Sequence, residues 1–313
     1  MPLFEIDQKD AVEAVEQTNF ETERKLQRLV EANLSPLFQC RFVASEFPTG
    51  IRHGGRIDTL ALSEDDNPVI IEYKKAASSE LVVQSLYYLA WIQDHKGDFE
   101  VAAKAKLGNK TTILWDDVRV ICLAPSYKKF DIHAVQVMGA SIELWTYRLF
   151  SNRTLYIEEI QQKDMGGADV IAASSQKNPV MVAAGKKAAL SRKTNTYSFE
   201  AYIQERPAAL RELALAIQEY VMGLDTAIEQ TPKKYYVAYR TTQNIVCMEV
   251  QKKKVLLFLK LDPGKVSLEA GYTRDMTNIG HYGTGDVEVT LNSLKDLERA
   301  KPLIEQAYNA VGG

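Results

Sequence analysis

Two carboxylates and a lysine lie close together in the sequence, on two segments that have the pattern of neighbouring strands. Asp58 lies in the run Arg56–Leu62, and Glu72 and Lys74 lie in the run Val69–Lys74. Residues two apart leave the same face of a strand, and a turn midway between the runs would set Asp58 opposite Glu72. Facing like charges repel each other, and a bound divalent cation such as Mg²⁺, which prefers oxygen ligands, removes that conflict. The lysine could then position or help to deprotonate a metal-bound water.

The surroundings of the motif decide between this chemistry and a simpler structural interpretation. An isolated match of this kind is more often a solvated edge hairpin in which the lysine pairs with the acids. Here the motif follows Gly54-Gly55, lies between two predicted helices, and has an acid (Glu23) on the preceding helix and Gln84 on the following one. This context favours a functional site.

Helix-like and strand-like runs alternate around the motif. This alternation predicts an α/β sandwich. The predicted helices cover residues 8–18, 21–33, 78–95 and 129–138, and the predicted strands cover 38–47, 56–62, 69–74, 118–124, 141–150 and 154–160.

Length and local charge divide the chain of 313 residues into a predicted core, linker and second domain. Residues 1–162 are acidic, with net charge −6, whereas residues 163–199 carry six basic and two acidic side chains. We predict a domain at 1–162, a basic linker at 163–197 that is rich in Gly, Ala, Ser and Lys, and an α+β domain at 198–313. Its predicted helices cover 199–204, 207–222 and 294–311, and its predicted strands cover 235–241, 245–250, 255–261 and 287–291.

Several classes of protein are excluded by composition. The three cysteines are widely spaced and odd in number, which argues against a disulfide framework. The four histidines contain no HxxxH pair, which argues against a zinc-hydrolase motif. No GxxxxGK[ST] loop is present. No apolar run approaches the ~20 residues needed to cross a bilayer, and the first residues do not resemble a signal peptide. We therefore expect a soluble, cytoplasmic protein without a membrane partner.

The motifs resemble those of a known superfamily. Glu23–Leu34, then Gly55-Arg56-Ile57-Asp58, then Ile71-Glu72-Tyr73-Lys74, then Gln84 in a helix resemble the PD-(D/E)xK nucleases, in the branch of the NucS-like and RecB-like endonucleases. The resemblance implies a restriction-endonuclease-like core, a mixed sheet flanked by helices, followed here by a smaller α+β domain. No proline precedes Asp58, although the name of the superfamily includes one.

The resemblance also implies roles for individual residues. Asp58 and Glu72 would bind Mg²⁺ or Mn²⁺, Lys74 would serve the attacking water, Glu23 would complete the acidic set, and Gln84 would lie at the site. Structural roles remain open for two of them, because an acid is favoured in a first helical turn and a buried glutamine is often simply hydrogen-bonded.

Basic side chains provide candidate contacts with nucleic acid. Arg52 and Arg56 flank the site, and Lys186 and Lys187 lie in the basic linker. Residues from about Pro207 to Val311 resemble a C-terminal family of unknown function that is found behind such nuclease cores. Within that block, Arg274, His281 and Tyr282 could meet an anion or a base face.

The resulting hypothesis is a metal-dependent DNA endonuclease that hydrolyses phosphodiester bonds in DNA repair or defence. The alternative is a non-catalytic nucleic-acid-binding or regulatory protein on the same fold. The sequence leaves open whether the DNA is single- or double-stranded and whether the protein is a monomer or a homodimer.

Overall fold

The computed structural model describes residues 2–50, 54–77, 80–138, 141–160 and 197–312. The chain divides into two compact units. Unit 1 comprises Met1–Ser35 and Cys40–Asn195, and unit 2 comprises Pro36–Gln39 and Thr196–Gly313. The predicted basic linker lies almost entirely outside the described residues.

The first half of the chain contains nine strands and five helices within the described ranges. In chain order they are β1 (Leu3–Ile6), β2 (Val12–Val15), β3 (Gln17–Thr18), α1 (Glu23–Glu31), α2 (Leu34–Phe38), β4 (Cys40–Pro48), β5 (Arg56–Ser63), β6 (Pro68–Tyr73), α3 (Glu80–Asp94), α4 (Lys96–Leu107), β7 (Arg119–Ala124), α5 (Lys129–Met138), β8 (Ile142–Phe150) and β9 (Leu155–Glu159).

A seven-stranded mixed sheet forms the centre of unit 1. Its order is β3-β8-β7-β6-β5-β4, with β9 paired to β8. The pairs β6–β7 and β7–β8 are parallel, and the other pairs are antiparallel. The prediction of a mixed α/β architecture is confirmed at this level.

Helices α1 and α3 contact the two faces of this sheet. Leu60 and Ile70 pack in one buried cluster with Leu81 of α3. The neighbouring side chain Thr59 instead donates a hydrogen bond to Glu31 of α1. Because successive strand residues point to opposite faces, the strands β5 and β6 are covered on both sides.

The prediction of a helix at residues 8–18 was wrong, because this segment forms strands β2 and β3. Strand β2 pairs with β1 in a separate two-stranded hairpin. The side chain of Asp7 accepts hydrogen bonds from the backbone N–H groups of Lys9 and Ala11, and Asp10 has φ 62°. This turn chemistry, together with β-branched Val12 and Val15, prevails over the weak helical spacing.

Two helices in the first half of the chain were not predicted. Helix α2 contains Pro36, which is tolerated in a first turn because the N–H groups there have no partner within the helix. Helix α4 buries only Phe99 and Ala103, so its sequence carries little apolar periodicity.

Unit 2 has a six-stranded antiparallel sheet with helices on one face. Its sheet order is β10-β11-β12-β13-β15-β14. The core of this face contains Leu213, Ile217 and Ile304 from the helices and Val246 and Leu257 from the strands. The elements are α6 (Phe199–Gln204), α7 (Ala208–Met222), β10 (Glu229–Pro232), β11 (Val237–Arg240), β12 (Asn244–Val250), β13 (Val255–Leu259), β14 (Thr273–Asp275), β15 (Val287–Leu291) and α8 (Leu294–Ala310).

The predicted helices and central strands of unit 2 are confirmed, whereas β10 and β14 were missed. Both are edge strands of four and three residues. Strand β10 ends in a proline, which is tolerated at a sheet edge, and neither strand shows the apolar alternation of a buried strand.

Candidate active site

Strands β5 and β6 bring Asp58 and Glu72 together. The strand pairing ends at Thr59↔Ile71, and the same register extended by one residue sets Asp58 opposite Glu72. The backbone N–H of Asp58 donates to Glu72 Oε1 at 3.0 Å, and the backbone N–H of Tyr73 donates to Asp58 Oδ2 at 3.1 Å. Each carboxylate is therefore fixed by the backbone of the opposite strand.

Burial raises the pKa of both acids. Burial raises the pKa of Asp58 to about 6; the Tyr73 N–H and the Lys74 charge oppose this shift, and the charges of Glu46 and Glu23 add to it. Burial, and then the charge of Asp58, raise the pKa of Glu72 well above its ordinary value. The pair therefore binds protons more tightly than exposed carboxylates do.

One oxygen of Glu72 has no hydrogen-bond partner among the described residues. The side chain of Glu72 is fully buried, and its Oε2 atom forms no hydrogen bond within the part of the chain that the structure describes. A buried, unpaired carboxylate oxygen is energetically unfavourable unless a proton or a cation satisfies it. This atom is the feature of the site that a purely structural role explains least.

Lys74 follows the end of β6 and contacts Glu23 at the start of α1. Lys74 Nζ lies 3.2 Å from Glu23 Oε1, and the backbone N–H of Lys75 donates to Glu23 Oε2 at 3.2 Å. The hydroxyl of Thr22 caps α1 by accepting from the backbone N–H of Lys25. Glu23 therefore orients the lysine beside the two acids.

Gln84 contacts the site through Tyr88 rather than through the carboxylates. Gln84 Nε2 donates to the Tyr88 hydroxyl at 3.0 Å, and this hydroxyl donates to the backbone oxygen of Arg56 at 2.9 Å. A Cβ atom at Gly55 would lie 2.9 Å from the Tyr88 ring, so only glycine permits this close approach. The arrangement holds the start of β5, two residues before Asp58.

Two further residues lie near the acids and were missed in the sequence. Gln27, one turn after Glu23 on α1, donates from Nε2 to the backbone oxygen of Asp58 at 2.8 Å. Glu46 acts electrostatically on Asp58, and the pairings Ser45↔Thr59 and Phe47↔Ile57 place it opposite that residue. The helical spacing of Gln27 and the strand register of Glu46 were the signals that could have identified them.

The predicted nucleic-acid contacts are only partly described. Arg56 forms an ion pair with Glu46, and its side chain is mostly exposed. Arg52, Lys186 and Lys187 lie outside the described residues.

The donor set near Asp58 fits a hard cation only in part. Within the described ranges, no group of three or more His, Cys, Asp or Glu side chains is arranged to hold a metal ion. The two strand carboxylates nevertheless provide oxygen donors, and one of these oxygens, Glu72 Oε2, is buried without a hydrogen bond. Such a set suits Mg²⁺ or Mn²⁺ if water and a phosphate complete the coordination.

Comparisons with known proteins cover both parts of the chain. Residues 199–311 match the profile of a domain of unknown function, DUF5655. An "Uncharacterized protein" of Haemophilus influenzae is 29% identical over 303 residues, which cover 96% of this chain and 97% of that protein. The relative therefore has nearly the same length and carries no activity in its name.

Solved structures of repair endonucleases are also similar to part of this chain. A chain from the "EndoMS-dsDNA2 complex" has 18% identity and a TM-score of 0.29, covering 42% of this chain and 50% of that one. A "repair endonuclease from Pyrococcus abyssi" has 23% identity and a TM-score of 0.23, covering 41% of this chain and 48% of that one. This chain thus spans about half the length of the solved chains. With TM-scores this low, the matches establish neither a shared fold nor a shared activity.

A membrane span requires a helix of about 20 predominantly apolar residues. No helix in the described part of the chain is both long enough and apolar enough to cross a bilayer.

Proposed function

We propose that this protein is a metal-dependent DNA endonuclease with a restriction-endonuclease-like core of the PD-(D/E)xK type. The observation that carries the proposal is the pair of facing strand carboxylates: Asp58 is partly buried, and Glu72 is fully buried with its Oε2 unbonded among the described residues. A scaffold gains nothing from two facing acids with raised pKa values, whereas a cation-binding site requires them.

Asp58 and Glu72 would hold Mg²⁺ or Mn²⁺ between β5 and β6. When bound, the ion would neutralise the charge that develops on the phosphate and favour an ionised water as the nucleophile. The backbone N–H groups of Asp58 and Tyr73 fix one oxygen of each carboxylate, which leaves the other oxygen of each available to the ion. Bonding to the opposite strand keeps both side chains in position without the ion.

Lys74 would orient the attacking water or a phosphate oxygen. Its ammonium group is held 3.2 Å from Glu23 Oε1, and its backbone N–H donates to the Leu123 oxygen at 2.9 Å. An ammonium group fixed beside the phosphate would stabilise the negative charge of the transition state. Glu23 and Gln84 would act as positioning residues, the first through Lys74 and the second through Tyr88 and the backbone of Arg56.

Arg52, Arg56, Lys186 and Lys187 remain the proposed phosphate contacts. The net charge of −6 on residues 1–162 repels a polyanion, so counter-charge must come from such groups. DNA as the substrate is part of the proposal.

The test is a cleavage assay with a matched pair of lysine variants. The purified chain is incubated with labelled single- and double-stranded DNA, with Mn²⁺ or with EDTA. Lys74→Ala should abolish cleavage. Lys75→Ala should preserve it, because Lys75 contacts Glu23 through its backbone N–H and its side chain donates to the Glu21 backbone oxygen. Equal cleavage by the Lys74→Ala and wild-type proteins would contradict the proposal.

A non-catalytic nucleic-acid-binding protein on the same fold is the second candidate. It is favoured by the lack, in the described ranges, of a cluster of three protein donors that could hold a metal ion. This candidate predicts that the wild-type protein binds DNA equally well in Mn²⁺ and in EDTA and leaves it intact in both.

A further inference from the structure

The face of the unit 2 sheet opposite the helices carries a second, smaller apolar cluster. It includes Tyr236 from just before β11, Cys247 and Phe258 from β12 and β13, and Met276 from the loop after β14. This loop is closed by a hydrogen bond from the Met276 N–H to the Asp286 oxygen at 2.8 Å. Residues 276–286 therefore form an ordered cover on this face.

Two glycines allow the loop to pack closely against the sheet. A Cβ atom at Gly283, where φ is +79°, would lie 2.7 Å from the Cys247 side chain. One at Gly285, where φ is +132°, would lie 2.7 Å from the Phe258 backbone. Neither position accepts a larger residue without displacement, so the sequence favours close approach of this backbone. The residues just before Gly283 are held in place as a result.

The loop presents two aromatic stacks on this face. The His281 ring stacks on Phe258 at 4.3 Å between centroids. The Tyr282 ring stacks on Tyr235 at 4.3 Å, with 22° between the ring planes. Tyr235 comes from the turn before β11, where the Lys233 N–H donates to the Tyr236 oxygen at 2.8 Å. The tyrosine pair is therefore formed by two segments, the turn before β11 and the loop of residues 276–286.

This tyrosine pair is exposed and lies among positive charges. Tyr235 and Tyr282 have relative solvent exposures of 45% and 50%, which is unusual for two large rings already in contact. Lys234 Nζ lies 5.3 Å from the centroid of the Tyr235 ring, and Lys233 is the adjacent residue. Lys260, directly after β13, contacts Asp286 of the loop at 4.0 Å. Exposed aromatic faces beside ammonium groups match the two features of unpaired nucleic acid, its bases and its phosphates.

We propose that Tyr235 and Tyr282 form a stacking platform for single-stranded nucleic acid. An unpaired base extends the stack on the exposed tyrosine surface, and Lys233 and Lys234 contact the flanking phosphates. Paired bases inside a duplex do not offer their faces, so the platform selects single strands. The site is independent of the chemistry at Asp58 and Glu72, and it gives unit 2 a binding function of its own.

The test is fluorescence anisotropy of a short labelled oligothymidine with the full-length protein in EDTA, where metal-dependent cleavage cannot occur. Tyr282→Ala should weaken binding by about tenfold, the order expected for loss of one base–aromatic stack. Tyr282→Phe, which retains the ring, should bind as the wild type does. Lys234→Ala should lower the steepness of the salt dependence by about 0.7 in the logarithmic plot, the value for one phosphate of a single strand.

Matched controls separate stacking from other modes of binding. Phe130→Ala removes an exposed aromatic ring of unit 1, and Lys295→Ala removes an exposed lysine from α8; both should leave the affinity unchanged. An abasic oligonucleotide, which has phosphates but no bases, should bind weakly and equally to the wild type and Tyr282→Ala. The proposal is overturned if Tyr282→Ala binds oligothymidine like the wild type, or if the abasic strand binds as tightly as oligothymidine. Because no cleavage is measured, failure here leaves the nuclease proposal untouched.

Discussion

Each unit of the protein buries a glutamate on a strand, and the two glutamates face opposite kinds of neighbour. In unit 2, Glu288 of β15 stands opposite Arg274 of β14, and the two side chains form an ion pair at 2.6 Å. In unit 1, Glu72 stands opposite Asp58, another acid, and its Oε2 atom has no hydrogen-bond partner in the described residues. The first follows the rule that buried charges are paired, and the second departs from it.

Under the proposed function, this difference separates an acid that serves stability from one that serves chemistry. Glu288 is satisfied inside the folded chain, so a structural role explains it completely. Glu72 and Asp58 destabilise each other when both are ionised, and a cation from outside the chain would reverse this effect. The same isosteric change at each position tests this contrast.

The largest difference is expected in DNA cleavage. Glu72→Gln should reduce the rate at least about a hundredfold, because the metal site would lose a charged ligand that is worth several kcal/mol in the transition state. Glu288→Gln should retain the wild-type rate. Single-turnover cleavage in Mn²⁺ measures both, with circular dichroism to check folding. Similar losses in the two variants would remove the distinction between them.

Without metal, the free energy of unfolding should change in opposite directions in the Asp58→Asn and Glu288→Gln variants. Asp58→Asn should raise the free energy of unfolding at neutral pH by about 1–3 kcal/mol, because it removes a partly buried charge whose pKa is raised to about 6. Glu288→Gln should lower it by about 1 kcal/mol, because the bond to Arg274 loses its charge. Urea unfolding in EDTA provides both values. A destabilised Asp58→Asn protein would show that this carboxylate has a structural role.

The raised pKa of Asp58 also predicts the direction in which the free energy of unfolding changes with pH. With a pKa of about 6 in the folded chain and an ordinary value of 3.8, Asp58 binds a proton more tightly when the protein is folded. Its contribution to stability is therefore present below about pH 4 and is lost as the pH rises to about 6. In EDTA, stability should fall over this range more steeply in the wild type than in Asp58→Asn. Parallel curves would exclude the raised pKa.

A smaller effect is expected at Gln27, which bonds the backbone of Asp58. Gln27→Ala removes the 2.8 Å bond to the Asp58 oxygen and should lower the cleavage rate by about tenfold through a small displacement of the carboxylate. Gln27→Glu, which cannot donate, should not restore the rate. A Gln27→Ala protein that cleaves at the wild-type rate would show that β6 alone positions Asp58.

Much of the architecture could be predicted from the sequence. Strands β5 and β6 are short apolar runs bounded by turn residues, so the register that pairs Asp58 with Glu72 follows from the turn between them. The Asp7 turn, α4 and the edge strands β10 and β14 were missed, because local hydrogen bonds and neighbouring strands, rather than periodicity, determine them. The contact of Gln84 with Tyr88 and the approach of Gly55 to that ring depend on tertiary packing that the spacing of residues does not show.

The most direct test of the central claim is binding of Mn²⁺ itself, measured by isothermal titration calorimetry on the full-length protein without DNA. The wild type and Glu288→Gln should bind the ion and unfold at a higher temperature in its presence, whereas Asp58→Asn and Glu72→Gln should lose both effects. Equal binding by the wild type and the Asp58→Asn and Glu72→Gln variants would contradict the assignment of these two carboxylates as the metal site.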